Sequence, residues 1–255
     1  MKIFVVDKWK FLRYLLVLTV LCFVFTFAGN LTTDIIATIA SASRKLPIYN
    51  IETSEAKISL TFDCAWGAED MGQILDILKA NDVRVTFFVL GEWAEKFPDV
   101  IKRMAEEGHD VANHSDTHPH ISSLSYEEMR NEIKTANAKI NALTGKTNDL
   151  FRAPYGEYND NVIKAAEEEG CFTIQWDVDT LDWKNLGKQN ILDRVLSKTK
   201  NGSIILMHNG TKDTANVLEE MIKKLKEKGF TFVPTSEFIY RENYTIDHAG
   251  KQMKN

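Results

Sequence analysis

Five short segments carry side chains whose types and spacing suit chemistry. Thr61-Phe62-Asp63-Cys64-Ala65-Trp66-Gly67 places an acid at the end of an apolar run, where a carboxylate serves as a proton acceptor or as a cap of a helix or turn. In His114-Ser115-Asp116-Thr117-His118 two imidazoles stand four residues apart. From that spacing both reach one metal ion, and neutral imidazole is a usual zinc ligand. His109 and His120 lie close by and offer other pairings. Phe151-Arg152-Ala153-Pro154-Tyr155-Gly156 sets a guanidinium before a Pro-Tyr-Gly turn, either as a surface charge or as an orienting cation for an acid. The segment 176–183 holds Asp177, Asp179 and Asp182 between Trp176 and Trp183, aromatics beside carboxylates that suit a sugar cleft or an interface. Leu206-Met207-His208-Asn209 puts a histidine just past an apolar run, as a proton donor or a satisfied core residue.

These groups act together only if the elements carrying them converge. Strand-like runs recur at 58–62, 85–90, 110–113, 149–151, 171–176, 203–207 and 231–233. Helical patterns lie between them at 98–107, 125–143, 159–169, 189–198 and 214–228. A further helix carries Met71, Ile74, Leu75 and Leu78 at i, i+3, i+4 and i+7, and Leu218, Met221, Ile222 and Leu225 form the stripe of the last. This alternation predicts an α/β fold, a distorted (β/α) barrel of about seven parallel strands. In such a barrel, residues at the C-terminal strand ends share one rim, and all five segments sit at such ends. Neither G-x-G-x-x-G nor G-x-x-x-x-G-K-[ST] occurs, which argues against a nucleotide partner.

The chain has 255 residues, 44% of them hydrophobic, and a net charge of −5. Residues 1–30 carry Lys2, Lys8, Lys10 and Arg13 against Asp7, a charge of +3, so residues 31–255 sum to −8 and make a poor phosphate-backbone binder; no nucleic-acid partner is expected. Residues 14–28 are uncharged and follow the basic cluster, as in a signal h-region or a signal anchor. Small residues for cleavage come only at Ala40-Ser41-Ala42, which favours an uncleaved single-pass transmembrane helix. Its basic flank is then cytoplasmic and the remaining chain extracytoplasmic. The expected organisation is a basic segment and membrane anchor at 1–30, a linker at 31–55, a domain at 56–240 and a C-terminal tail at 241–255. Cys22 falls in the apolar run, leaving Cys64 and Cys171, too few for a disulfide scaffold.

In this order, Asp63, then H-x-x-x-H from His114 to His118, R-x-P-Y-G from Arg152, D-x-x-D-W ending at Trp183 and L-x-H ending at His208 resemble the motifs of the NodB-homology polysaccharide deacetylases, carbohydrate esterase family four. The resemblance spans about residues 58–239. The T-F-D-C-A-W-G and D-T-L-D-W forms and the anchor are most similar to the sporulation-associated, PdaB-like subgroup. It implies a hydrolase that removes acetyl groups from an N-acetylated glycan, here peptidoglycan, with a divalent metal, usually zinc. By that resemblance His114 and His118 are metal ligands, Asp63 the general base, His208 the general acid and Arg152 the residue that orients Asp63. Asp182 or Asp179 holds His208. Tyr155 offers its backbone N–H to the oxyanion beside Pro154, and Trp183 and Leu206 line the acetyl pocket. The family's first motif is T-F-D-D-G, whose second Asp is the carboxylate ligand, and here that position is Cys64. A thiolate at Cys64, or Glu69 or Asp70 from the same loop, completes the metal site, or the third ligand is missing. In the last case the resemblance implies a slow or inactive, glycan-binding relative.

Overall fold

The computed structural model describes residues 44–255 together with Trp9, Leu16 and Thr19. Apart from Leu16 and Thr19, the expected anchor at 14–28 lies outside the described residues, as does the expected linker up to residue 43. Among the described residues no helix is long and apolar enough to cross a membrane. The chain divides into two units, Met1–Arg44 and Lys45–Asn255, and the second holds all the motifs.

In Lys45–Asn255 the strands are β1 (Asn50–Ile51), β2 (Lys57–Cys64), β3 (Thr86–Val89), β4 (Asp110–Asn113), β5 (Leu150–Phe151), β6 (Phe172–Thr173), β7 (Val178–Asp179), β8 (Ile204–His208), β9 (Thr231–Phe232), β10 (Tyr244–Ile246) and β11 (Lys251–Lys254). Seven of them form a curled parallel half-barrel in the order β6-β5-β4-β3-β2-β8-β7. The central strand β2 is buried along nearly its whole length, its apolar Ile58, Leu60, Phe62 and Cys64 alternating with the buried polar Ser59, Thr61 and Asp63. Register places Asp63 beside Phe88 on one neighbour and His208 on the other, and Asn113 beside Phe151. β9 pairs only with Lys57 and Ile58 at the start of β2.

The helices are α1 (Met71–Ala80), α2 (Gly91–Lys96), α3 (Pro98–Glu106), α4 (Tyr126–Thr144), α5 (Asp160–Glu168), α6 (Lys188–Lys198), α7 (Thr214–Glu227) and α8 (Thr235–Phe238). Met71, Ile74, Leu75 and Leu78 of α1 and Leu218, Met221, Ile222 and Leu225 of α7 are buried in one core with β2, as their periodicity requires. Each such side chain contributes about 1.5–3 kcal/mol on burial. α4 is bounded by a capping box, Ser125 with Glu128, and by Gly145 in the left-handed conformation.

Two expectations about the ends of the domain are corrected. Residues 45–55 are not a linker: Ile48 and Ile51 are buried, Ile48 bridges Ile174, and Asn50 bridges Ser203. Nor is 241–255 a tail, since β11 pairs in parallel with β1 and antiparallel with β10. The sheet is open between β6 and β7, and the amide of Ile48 donates to Thr173 O while its carbonyl accepts from Gln175 N, so both chain ends are spent covering that side. The strand expected over 171–176 is shorter, Phe172–Thr173. Asp177 turns its carboxylate to Ile204 N at 3.0 Å and Ser203 Oγ at 3.1 Å, and pairing resumes as the separate strand β7.

Candidate active site

Side chains alternate across a strand, and β2 divides its residues accordingly. Ile58, Leu60, Phe62 and Cys64 face the core beneath the helices. Ser59, Thr61 and Asp63 face the other way: Ser59 Oγ meets Thr235 Oγ1 at 2.8 Å, Thr61 Oγ1 donates to Ile205 O, and Asp63 enters a cavity of about 420 Å³ at the C-terminal strand ends. His114, His118, Tyr155, Asp179, Trp183, Leu206 and His208 share its wall, together with Trp66, Gly156 and Trp176. The rim predicted from strand ends therefore exists.

Arg152 stands behind Asp63, fully buried. Its Nη1 donates to Asp63 Oδ1 at 2.7 Å and to Thr61 Oγ1 at 2.9 Å, its Nη2 donates to Gln175 O at 3.1 Å, and the guanidinium lies 4.0 Å over the Phe88 ring. Burial opposes the charge on Asp63, but Arg152, with His114 and His208, outweighs it and holds the carboxyl below its ordinary range. Pro154 is buried and begins a one-turn 3₁₀ segment, Pro154–Gly156, in which Tyr155 takes a φ of 58° and extends its ring into solvent.

His208 ends β8, and its partner is Asp182. Asp182 Oδ1 accepts from His208 Nδ1 at 2.8 Å and from Trp183 N at 2.9 Å; its Oδ2 accepts from His208 N and from Thr214 Oγ1, both at 2.7 Å. Burial works against an imidazolium here, yet the Asp182 bond and charge raise the His208 pKa above its ordinary value. Of the two acids left open by sequence, Asp179 takes the other place: it lines the wall and accepts from Leu181 N at 2.8 Å.

His114 Nδ1 donates to Arg152 O at 2.8 Å, which leaves the Nε2 lone pair facing Asp63 Oδ2 at 3.6 Å. The His118 ring lies 5.1 Å from that of His114. Burial lowers the pKa of both, that of His118 to about 4, so both imidazoles are neutral near pH 7. Three supports of this loop escaped the sequence reading. Glu132 on α4 accepts from Asp116 N, Thr117 N and Thr117 Oγ1 at 2.9–3.0 Å, Asn113 Oδ1 accepts from Ser115 N, and Ser115 Oγ accepts from His118 N. Thr214 behind Asp182 and Trp66 in the wall were missed as well. Only the i, i+3 polar spacing of α4 could have pointed to Glu132, and nothing local points to Thr214. Of the other histidines, His120 pairs with Glu157 outside the wall and His109 accepts from Val85 N inside the fold.

None of the three residues expected to complete the metal site joins His114 and His118 in the cavity wall. Cys64 is fully buried on the core face of β2, and burial pushes its thiol pKa well up. Asp70 Oδ2 accepts from Gly210 N, Glu69 folds over Gly67, and neither lines the cavity. Among the described residues no three His, Cys, Asp or Glu side chains are grouped to hold an ion. Two imidazoles alone do not fit the three-ligand centre of a catalytic zinc.

Residues 50–173 match the family profile described as polysaccharide deacetylase. The chain is 40% identical over 184 residues to a Bacillus cereus peptidoglycan-N-acetylglucosamine deacetylase, covering 71% of this chain and 67% of the relative. It is 33% identical over 198 residues to the Bacillus subtilis peptidoglycan-N-acetylmuramic acid deacetylase PdaA, covering 76% and 75%. Among solved structures it matches BA3943 of Bacillus anthracis, described as a CE4 family pseudoenzyme, with a TM-score of 0.73 and 36% identity over 80% of this chain and 69% of that one. The motif order, the half-barrel that gathers the motifs and these relatives agree, and the chain belongs to the polysaccharide deacetylase family.

Proposed function

We propose that this protein is a hydrolase that removes acetyl groups from N-acetylated sugars of peptidoglycan. The observation that carries the reading is the pair of buried dyads facing one cavity, Asp63 with Arg152 and His208 with Asp182. Their surroundings push them in opposite senses, Asp63 toward the ionised carboxylate and His208 toward the protonated imidazolium. Asp63, ionised, takes a proton from water as its oxygen attacks the acetamide carbonyl. The backbone N–H of Tyr155 serves the oxyanion. When the carbon–nitrogen bond breaks, His208 gives its proton to the departing sugar amine, and acetate and a free amine result. Trp183 and Leu206 bound the space for the acetyl methyl.

In this reading residues 14–28 anchor the chain in one pass and the domain works outside the cytoplasm, where peptidoglycan lies. The net charge of +3 on residues 1–30 supports that orientation. Protease added to intact protoplasts should then remove the domain and spare the amino-terminal segment. The likeness of T-F-D-C-A-W-G to the sporulation-associated subgroup supports expression during spore formation, which a transcript time course tests.

A second reading, glycan binding without turnover, is favoured by the position of Cys64 on the core face, which leaves two imidazoles where the family's ion has three ligands. One experiment separates the two. The full chain in detergent is incubated with purified peptidoglycan, with zinc and with chelator, and acetate is measured. Release that Asp63→Asn and His208→Ala both abolish supports the hydrolase. Glycan binding with no acetate under either condition supports the second reading.

A further inference from the structure

Trp66 takes no part in either dyad, yet its indole is 57% exposed in the cavity wall, with its centroid 6.4 Å from the His118 ring and 6.2 Å from the His208 ring. Two other aromatics of the wall are at least half exposed, and each has a face already covered. Tyr155 stacks on His120 at 4.4 Å and 15°, and Lys184 Nζ sits 4.9 Å over the Trp183 ring. Trp66 has no stacked ring and no cation over it among the described residues; its two ring contacts are tilted and long. The loop that carries it is fixed. Gly67 O accepts from Trp93 Nε1 at 3.3 Å and from Asn209 Nδ2, and Asp70 Oδ2 accepts from Gly210 N at 2.8 Å, so the indole is tied to the segment that directly follows His208. A half-exposed indole in a cavity wall, on a loop held by hydrogen bonds, is apolar surface that lacks a partner.

We propose that Trp66 is a specificity-determining platform for a neutral, β-linked N-acetylhexosamine. The axial C–H face of the pyranose stacks on the indole while its acetamide reaches between Asp63 and His208. The equatorial substituents of such a ring leave that face flat and apolar, matching a planar aromatic, whereas a charged or axially substituted sugar does not. The direction of the acetamide rests on the deacetylase reading, but the stacking itself does not.

The test uses the full chain in detergent micelles carrying Asp63→Asn, so that no turnover intervenes, and calorimetric titration with the tetrasaccharide of β-1,4-linked N-acetylglucosamine. Adding Trp66→Ala or Trp66→Leu should weaken the Kd about tenfold, and Trp66→Phe should stay within about threefold, because stacking needs a flat ring rather than bulk. Ala within about twofold of the parent, or Leu binding as tightly as Phe, overturns the proposal. Should Ala fail to fold, the Leu and Phe pair still decides. Acetate release from the same tetrasaccharide by the chain with Asp63 intact reports separately on the deacetylase reading. Trp66-dependent binding without acetate refutes that reading alone, and acetate with Trp66-independent binding refutes this proposal alone.

Discussion

Asp182→Asn removes one negative charge and almost no volume from a side chain that is 1% exposed. The carboxylate accepts from two donors on each oxygen, and the amide keeps one oxygen and turns an NH₂ toward two donors. A hydrogen bond to a charged group contributes about 1.5–3 kcal/mol, so losing the carboxylate partner withdraws about that much from the protonated form of His208 and lowers its pKa. In the native protein burial alone would depress that pKa, and Asp182 is what raises it. The sign follows from the role. In the proposed role His208 donates a proton only when protonated, so activity falls as pH rises through its pKa, and the variant's alkaline limb moves to lower pH. Stability follows the same sign: a raised folded-state pKa contributes stability that is complete below the unfolded value and is lost as pH rises through the folded one. The variant should therefore lose stability most on the acidic side. Acetate release as a function of pH, with urea midpoints at each pH, measures both. An alkaline limb that stays in place with Asn at 182 would refute the assignment of Asp182 to His208.

Four further outcomes follow from the same contacts. Arg152→Met leaves the Asp63 carboxylate buried without its cation, at a cost of about 3–5 kcal/mol in urea unfolding. Because the native Asp63 pKa is depressed, the pair's contribution is present above the unfolded carboxyl value and lost as pH falls through the folded one, so the gap between wild type and variant should narrow in acid. Glu132→Ala strips three acceptor contacts from the 115–118 loop and should lower acetate release with a stability loss of about 1–3 kcal/mol; a fully active variant would show that the loop needs no such support. Elemental analysis of the dialysed full chain should give well under one zinc per chain, whereas a stoichiometric ion that His114→Ala removes would mean that a third ligand exists. Cys64, fully buried with a raised pKa, should resist thiol reagents in the native chain and react on unfolding; rapid native labelling would contradict its place in the core.

What was legible in the sequence was local. The i, i+3, i+4 stripes of α1 and α7 and the apolar runs of β2, β3 and β8 follow directly from burial, and once the strands are parallel their C-terminal ends must share a rim. What was hidden depends on partners far along the chain. Ile48 and Ile51 look like any apolar residues in a mixed stretch, and only pairing with segments far along the chain, with β11 and around Ile174 and Ser203, makes them part of the sheet. Asp177 reads as one more acid in an acidic run, yet its carboxylate is held by Ser203 Oγ and Ile204 N at the start of β8. The choice between Asp179 and Asp182 was closed to sequence for the same reason, because both precede an aromatic-rich turn and only the turn's path decides which reaches His208.

Cys64 is different, because its fate follows from parity already present in the sequence. Ile58, Leu60 and Phe62 are the apolar members of an alternating run, and residue 64 shares their face for as long as the strand continues through it. A thiol on that face packs as a small hydrophobe, in company with the core, and gains nothing from ionising there. A carboxylate at the same position would carry a desolvation cost that only an ion or a bend of the strand end could offset. With a thiol rather than a carboxylate at 64, β2 keeps its register through Cys64 opposite Val89, and residue 64 offers no donor to the cavity whose wall holds Asp63 and its neighbour His208.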